Sequence, residues 1–303
     1  PLQTGIEYDE VQVAAIRQAV NSKVMVLTGG PGTRKTTTTQ GIIAALKTMG
    51  YSILLAAPTG RAAKRMSEAT GMEAKTIHRL LEYNPADGYK RNDENPLEGD
   101  VLIVDECSMI DILLMNNLVK ALPETMHLIL VGDIDQLPSV GAGNVLRDII
   151  DSERVPVVRL TRIFRQAQTS RIVMSAHAIN EGKFPDISNG KDTDFFFIKN
   201  DDADAVATAI VDLVKNRLPK GYHMPLSKIQ VLTPMQRGVV GSANLNLILQ
   251  EALNPTKEGL SRGGYNFRKG DRVMQIRNNY DKEVFNGDLG YIESVNQEDR
   301  TLM

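Results

Sequence analysis

Short apolar runs alternate with stretches of helical spacing over the first half of this 303-residue chain. Apolar residues recur at helical intervals over 12–19, and a run of four apolar residues at 24–27 stops at a glycine-rich turn. Further helices are predicted at 35–49, 60–70, 76–83 and 112–122, and buried strands at 53–57, 101–104 and 128–131. This alternation predicts an α/β fold built on a parallel sheet.

The pattern changes in three later places. Residues 83–100 are turn-rich and polar, which predicts a small insertion with a hairpin. A second α/β unit is predicted from residue 157, with helices at 170–181 and 203–216 and a strand at 229–233. Short alternating strands at 271–277 and 289–295, joined through Asn286-Gly287, predict a terminal β module. The predicted domains are therefore 1–156 with the insertion 83–100, 157–258, and 259–303.

Composition narrows the class of protein. Hydrophobic residues make up 42% of the chain and charged residues 24%, and no apolar run approaches the roughly 20 residues of a membrane span, so a soluble, cytoplasmic protein without membrane partners is predicted. The single cysteine, Cys107, is expected to be a small buried side chain. Since the net charge is −2, any nucleic-acid surface must be local. Candidate basic groups are Arg61, Lys64 and Arg65, and later Arg262, Arg268, Lys269, Arg272 and Arg277.

The strongest chemical signal is a loop between the first strand and the next helix. Residues 28–36, Thr-Gly-Gly-Pro-Gly-Thr-Arg-Lys-Thr, follow the pattern G-x-x-x-x-G-K-[ST] at all but one position. In such a loop backbone N–H groups surround phosphates, Lys35 neutralises their charge and the Thr36 hydroxyl binds Mg²⁺. ATP and Mg²⁺ are thus the predicted cofactors. The residues predicted to surround the nucleotide are Gly30, Pro31, Gly32, Thr33, Arg34, Lys35, Thr36 and Thr37.

The departure from this pattern is Arg34, which stands where the motif has glycine. Glycine permits a backbone conformation that is costly for other residues, or a close approach of phosphate. Arg34 is therefore expected to strain the loop or to crowd the nucleotide, or else to swing outward and do little harm. A DNA-binding protein with impaired nucleotide binding therefore remains an alternative.

A second half-site follows the apolar run 101–104, which ends in the carboxylates Asp105 and Glu106. Parallel strands present their carboxyl ends at one edge of a sheet, so this pair is expected beside the phosphate loop. Asp105 is predicted to hold Mg²⁺, and Glu106 to orient or deprotonate the attacking water.

Several further segments resemble the successive motifs of RecD-type superfamily 1 (1B) DNA helicases. They lie at 57–63, 76–80, 105–109, 131–138, 160–166 and 232–238. The resemblance implies a RecA-like P-loop NTPase domain, a second and incomplete RecA-like domain, and a small SH3-like β module. It further implies an ATP-dependent motor that moves 5′ to 3′ on single-stranded DNA, acts at duplex junctions, and serves recombination or repair.

The resemblance also implies individual roles. Gln12 would recognise adenine, Gln136 would sense the γ-phosphate and couple it to DNA, and Arg165 would reach the same phosphate from the second domain. With Lys35, Asp105 and Glu106, these last two complete the predicted catalytic set. The DNA contacts implied are Thr59, Arg61, Thr76, His78, Thr233, Pro234 and Arg237.

Two family motifs, of Thr-x-His-x-x-Gln-Gly and Ala-Leu-Thr-Arg type, do not occur before Met303. The chain is therefore expected to be a fragment with weak ATP hydrolysis. The helicase module of a conjugative relaxase shares the same motifs and is the alternative enzyme.

Overall fold

The computed structural model describes residues 7–164, 168–190, 193–279, 282, 284 and 286–303. The chain divides into two compact units, one comprising Pro1–Phe196 with Arg277–Gly287 and the other Phe197–Ile276 with Asp288–Met303. Arg165, predicted to reach the γ-phosphate, lies outside the described residues. Within the described part, no helix is both long enough and apolar enough to cross a membrane.

The first unit is built on a six-stranded sheet in which every neighbouring pair is parallel. Its strands and a separate short hairpin are β1 Val24–Gly29, β2 Ile53–Ala57, β3 Ala74–Thr76, β4 Tyr83–Asn84, β5 Gly88–Tyr89, β6 Val101–Val104, β7 His127–Gly132 and β8 Val157–Leu160. The strand order in the sheet is β3-β2-β6-β7-β1-β8, and β4 pairs with β5. The predicted α/β fold with a parallel sheet is thus confirmed.

Helices lie before, between and after these strands. They are α1 Glu10–Asn21, α2 Lys35–Thr48, α3 Gly60–Thr70, α4 Ile77–Leu80, α5 Ile112–Lys120, α6 Val145–Asp151 and α7 Arg171–Asn180, with a 3₁₀ turn at Cys107–Met109. Because β8 pairs with β1, the first sheet continues past residue 157, where the second unit was expected to begin.

Two hydrophobic cores cover the two faces of the sheet. In β6, Leu102 and Val104 belong to one core while Val101 and Ile103 belong to the other. Successive strand residues point to opposite faces, so a strand covered on both sides needs apolar residues at every position. This explains the uninterrupted apolar runs, and it places the polar residues of each strand at its carboxyl end.

The helix predicted at 76–83 is wrong. Thr76 ends β3, and its hydroxyl accepts a hydrogen bond from the N–H of Arg79 at 3.1 Å, which starts the single turn of α4. Tyr83 is already in the β4–β5 hairpin. A threonine that caps the next turn and the pairing of Tyr83 with Tyr89 both override the helical spacing.

The second unit contains helices and two-stranded antiparallel pairs. Its elements are α8 Ala203–Asp212, a π turn Leu213–Arg217, α9 Leu218–Tyr222, a 3₁₀ turn Leu226–Lys228, α10 Ser242–Leu253, β9 Gly259–Arg262, β10 Tyr265–Arg268, β11 Arg272–Met274, β12 Leu289–Tyr291, β13 Val295–Asn296 and β14 Thr301–Leu302. The pairs are β9 with β10, β11 with β12 and β13 with β14.

Two predictions for this part of the chain are wrong. Residues 229–233 form no strand; the chain turns back there, and the Thr233 hydroxyl donates to the carbonyl of Val240 at 2.7 Å. An apolar run alone does not make a strand when no neighbour pairs with its backbone. Asn286-Gly287 is not the tip of the β11–β12 hairpin, because Asn279 already pairs with Val284.

Candidate functional site

Three neighbouring strands end in the residues that carry the predicted chemistry. Gly29 ends β1 and leads into the phosphate loop, and β6 ends directly before Asp105 and Glu106. Between them lies β7, which ends directly before Asp133. Because all three strands are parallel, these segments share one edge of the sheet.

Lys35 lies at the centre of this edge. Its ammonium donates hydrogen bonds to the carbonyl oxygens of Gly29 and, at 3.3 Å, of Gly30. The same nitrogen lies 3.9 Å from the carboxylate of Asp133, a residue that is only 3% exposed. The lysine thus joins the base of the loop to the end of β7.

The loop is held by contacts of its own. Thr33 is 2% exposed, and its hydroxyl donates to the carbonyl of Gly30 at 2.7 Å. A Cβ on Gly29 would lie 2.8 Å from the carbonyl oxygen of Leu160, so only glycine fits there.

The other predicted nucleotide contacts differ in their exposure to solvent. Pro31 and Thr36 are exposed, and Gly32 and Thr37 are half-buried. Thr36 lies in the first turn of α2. The loop therefore presents Thr36 outward while Thr33 anchors it inward.

Arg34 has the backbone conformation expected at a position where the motif has glycine. Its backbone lies in the left-handed region, with φ 60° and ψ 39°, at the N-cap of α2. Its guanidinium lies 3.9 Å from the centre of the Phe164 ring. The backbone conformation is one that glycine adopts freely, and the side chain is stacked on an aromatic face.

The carboxylates after β6 lie in a poorly solvated place. Burial raises the pKa of Asp105, and the N–H of Glu106 and the charges of Lys35 and Arg65 oppose that rise. Burial also raises the pKa of Glu106, and the neighbouring Asp105 charge adds to the effect. Glu106 itself has a positive φ of 53°. Two carboxylates in such surroundings favour a bound cation or a proton.

These residues fit Mg²⁺. Among the described residues, no cluster of three or more His, Cys, Asp or Glu side chains has the arrangement of a metal site. Mg²⁺ does not need one, since it is commonly bound through one or two protein oxygen ligands together with phosphate oxygens and water. The half-buried carboxylate of Asp105 and the exposed hydroxyl of Thr36 supply oxygen ligands of this kind.

Gln12, predicted to recognise adenine, is 1% exposed on α1. Its amide nitrogen donates to the Thr38 hydroxyl at 3.0 Å, and its amide oxygen accepts from the N–H of Asp9 at 3.1 Å. Asp9 in turn accepts from the N–H of Gln12, which completes a capping box. These contacts link α1 to the helix that follows the loop, and adenine recognition by Gln12 stays a prediction. Gln136 is exposed in the turn after β7.

The predicted DNA contacts of the first unit lie at the end of β3 and just beyond the end of β2. The hydroxyls of Thr59 and Thr76 cap α3 and α4. His78 follows, with its ring centre 5.5 Å from that of Tyr83 and 5.9 Å from that of Tyr89. Burial lowers the pKa of His78, which favours the neutral form of its ring.

The remaining predicted DNA contacts are distributed over both units. Arg61 is exposed in the first turn of α3 in the first unit. Thr233, Pro234 and Arg237 lie in the second unit, where Pro234 and Arg237 are exposed.

Two residues that contact the phosphate loop were not predicted from the sequence. Asp133 had a signal, because it follows a buried strand directly, as Asp105 does. His177 had none: it lies on α7, and its Nε2 is 3.1 Å from the carbonyl oxygen of Pro31, 146 residues away in the chain.

Comparison with known proteins now identifies the family. Residues 12–142 match the model described as "AAA domain", and residues 245–303 match "ATP-dependent RecD-like DNA helicase SH3 domain". The chain is 38% identical over 283 residues to the ATP-dependent RecD2 DNA helicase of Deinococcus radiodurans, a match that covers 93% of the chain. This chain belongs to the RecD-like DNA helicase family. The resemblance drawn from the motifs is thereby confirmed.

Other relatives agree with this RecD-like assignment. The chain is 28% identical over 368 residues to the RecBCD enzyme subunit RecD of Haemophilus influenzae, with 94% of the chain covered. It spans only 38% of the RecD2 helicase and 58% of that RecD subunit. A solved structure of Pif1 helicases unwinding forked DNA matches 98% of this chain and 76% of its own, with a TM-score of 0.56 and 19% identity. That likeness supports the fold.

Proposed function

We propose that this RecD-like chain is the nucleotide-binding part of an ATP-driven DNA helicase that moves along single-stranded DNA. The observation that carries the proposal is the shared edge at which Lys35, Asp133 and the pair Asp105-Glu106 follow three adjacent parallel strands. The name of the Deinococcus relative, an ATP-dependent DNA helicase, supports the same activity.

Each residue of the edge has a distinct task in this proposal. Lys35 and the backbone N–H groups of the loop bind the terminal phosphates. Thr36 and Asp105 would hold Mg²⁺, which when bound neutralises phosphate charge. Glu106 orients the attacking water and accepts its proton, a task that its raised pKa suits because a base works best when its pKa approaches the working pH. Gln136 and Arg165 respond to the terminal phosphate.

The DNA side of the proposal rests on the neighbouring strand ends. Thr59, Arg61 and Thr76 lie where β2 and β3 end, and they would contact the sugar-phosphate backbone without reading sequence. His78, Tyr83 and Tyr89 form an aromatic group next to them. Aromatic faces stack on any base, which suits a protein that moves along DNA of every sequence.

Thr233, Pro234 and Arg237 would form a second set of DNA contacts. Action at duplex junctions and movement from 5′ to 3′ are proposed from the family resemblance.

A DNA-binding protein with impaired nucleotide binding is the second candidate. The positive φ of Arg34 favours it, because a residue other than glycine stores strain at the point where the loop must stay open for phosphate. The two candidates differ in whether nucleotide changes the affinity for DNA.

The test therefore measures whether binding of nucleotide changes the affinity of the chain for single-stranded DNA. A fluorescein-labelled oligothymidylate is titrated with the chain, and anisotropy is recorded with and without Mg²⁺ and a non-hydrolysable ATP analogue. Nucleotide is expected to change the DNA affinity by roughly fivefold or more, the size typical of coupled sites. The variant Gln136→Ala should bind both ligands while losing most of this change. DNA affinity that is identical with and without nucleotide would contradict the motor and support the second candidate.

A further inference from the structure

Arg34 stands at the one loop position where the motif has glycine, and it keeps the conformation that glycine would take. Its φ of 60° and ψ of 39° lie in the left-handed region, which residues with a Cβ avoid. The next residue, Lys35, begins α2, so residue 34 sets the direction in which the first N–H groups of that helix point. The left-handed conformation is unfavourable for a residue with a Cβ, so a contact that stabilises Arg34 there favours the present shape of the loop.

Phe164 is placed to do so. The guanidinium carbon of Arg34 lies 3.9 Å from the centre of the Phe164 ring, well inside the range of cation–π attraction. The ring is fixed to the same loop through its backbone, because the Phe164 N–H donates to the carbonyl of Gly32 at 3.4 Å. Gly32 and Arg34 flank Thr33, so Phe164 contacts the loop on both sides of its buried anchor.

Arg162 holds the same segment at a second point. Its guanidinium lies 5.4 Å from the Phe164 ring centre and 3.9 Å from the carboxylate of Asp9. Asp9 caps α1 and shares a capping box with Gln12. The segment that carries Phe164 is therefore tied to α1 as well as to the loop, and its ring does not depend on Arg34 alone for its place.

We propose that Phe164 is a positioning residue that holds Arg34 in the left-handed conformation and so preserves nucleotide binding in a loop that has lost its glycine. The inference rests on the proposed function, since it concerns the same nucleotide site. It implies that the aromatic ring matters only while residue 34 carries a side chain. Glycine at position 34 would reach the same backbone conformation unaided.

A double-mutant cycle tests this dependence. A fluorescent ATP analogue with Mg²⁺ is titrated into four chains: unchanged, Phe164→Ala, Arg34→Gly, and the double variant. Phe164→Ala is expected to weaken binding roughly fivefold or more in the unchanged chain and by less than about twofold in the Arg34→Gly chain. Phe164→Tyr, which keeps an aromatic face, should bind within about twofold of the unchanged chain. Phe164→Leu, which keeps bulk without that face, should behave like Phe164→Ala.

The outcomes separate this inference from the proposed function. Equal loss in both backgrounds would mean that Phe164 acts on the nucleotide or on the fold directly, and would overturn the inference while leaving nucleotide binding established. No loss in the unchanged chain, or binding that appears only after Arg34→Gly, would overturn it as well. Absence of binding in all four chains, with circular dichroism showing them folded, would reject the proposed function itself.

Discussion

The ammonium of Lys35 lies 3.9 Å from the carboxylate of Asp133, across the ends of two adjacent parallel strands. Asp133 also accepts a hydrogen bond from the N–H of Asp135 at 3.1 Å. Its carboxylate therefore stabilises the turn after β7 and also positions the Lys35 ammonium. Because Asp133 is nearly fully buried, this ion pair is poorly screened by solvent. It connects the phosphate loop to the turn that carries Gln136.

Asp133→Asn should destabilise the chain. The amide retains the bond to the Asp135 N–H but leaves the Lys35 ammonium without its counter-charge, and a cost of about 1–3 kcal/mol is expected in urea unfolding. Asp135→Asn, two residues away and exposed, is the matched control and should change stability by less than about 0.5 kcal/mol. Equal effects of the two substitutions would show that the ion pair contributes nothing.

His78 should make the stability of the chain depend on pH. Burial lowers its pKa below the ordinary value of 6.5, and the charge of Asp111 only partly opposes this. The unfolded chain therefore binds the proton more readily, so stability is full above about pH 6.5 and falls as the pH decreases from there towards the folded pKa. His78→Phe keeps an aromatic ring against Tyr83 and Tyr89 without a titrating group.

Urea unfolding at several pH values between 8 and 5 measures this dependence. The unchanged chain should lose more stability than His78→Phe over the lower part of the range. Parallel loss in the two chains would show that the His78 ring does not carry the effect.

Gly30→Ala should disturb the contact between the loop and α7. A Cβ at this position would lie 2.9 Å from Cε1 of His177, whose Nε2 is 3.1 Å from the carbonyl oxygen of Pro31. The His177 ring is the far end of a half-buried side chain and can move aside, so a cost of about 1 kcal/mol is expected, and His177→Ala in the same chain should recover part of it. Gly190→Ala, where a Cβ meets nothing within 4 Å, is the control. An additive double variant in thermal unfolding would argue against the contact.

Asp271 should be a main stabilising residue of the second unit. Its carboxylate accepts hydrogen bonds from the side chain of Asn254 and from the backbone N–H of Arg268, each at 2.7 Å, and so joins α10 to the strands that follow. Asp271→Ala is expected to cost about 1–3 kcal/mol, because both bonds are lost, although the Asn254 amide keeps its bond to the carbonyl of Lys269. Asp299→Ala, at an exposed turn, should cost less than about 0.5 kcal/mol. Chemical denaturation of both variants compares them directly.

The sequence was most informative where one signal fixed both structure and chemistry. The apolar run of β6 followed by Asp105-Glu106 predicted a buried strand, its direction and the edge where its carboxylates lie. Strand β3, Ala74–Thr76, was too short for its pattern to be recognised. The conformation of Arg34 and its contact with Phe164 depend on packing between segments that are distant in the chain, which no local pattern reports.

Two of the wrong predictions had local causes. The spacing over 76–83 was helical, yet the hydroxyl of Thr76 and the β4–β5 pairing ended the helix after one turn. The apolar run at 229–233 looked like a buried strand, but a strand forms only when a neighbour supplies hydrogen bonds to its backbone. The contact of His177 with Pro31 had no precursor in the sequence pattern at all.

The central claim is that Lys35 lies in a working phosphate site, and isothermal titration with Mg²⁺ and a slowly hydrolysed ATP analogue tests it most directly. Lys47→Ala, exposed in the last turn of the same helix, is the matched control for Lys35→Ala. Saturable, Mg²⁺-dependent binding is predicted for the unchanged and Lys47→Ala chains, weakened roughly tenfold or more by Lys35→Ala with the fold retained. No binding by the unchanged chain, or equal affinity in all three, would contradict the account.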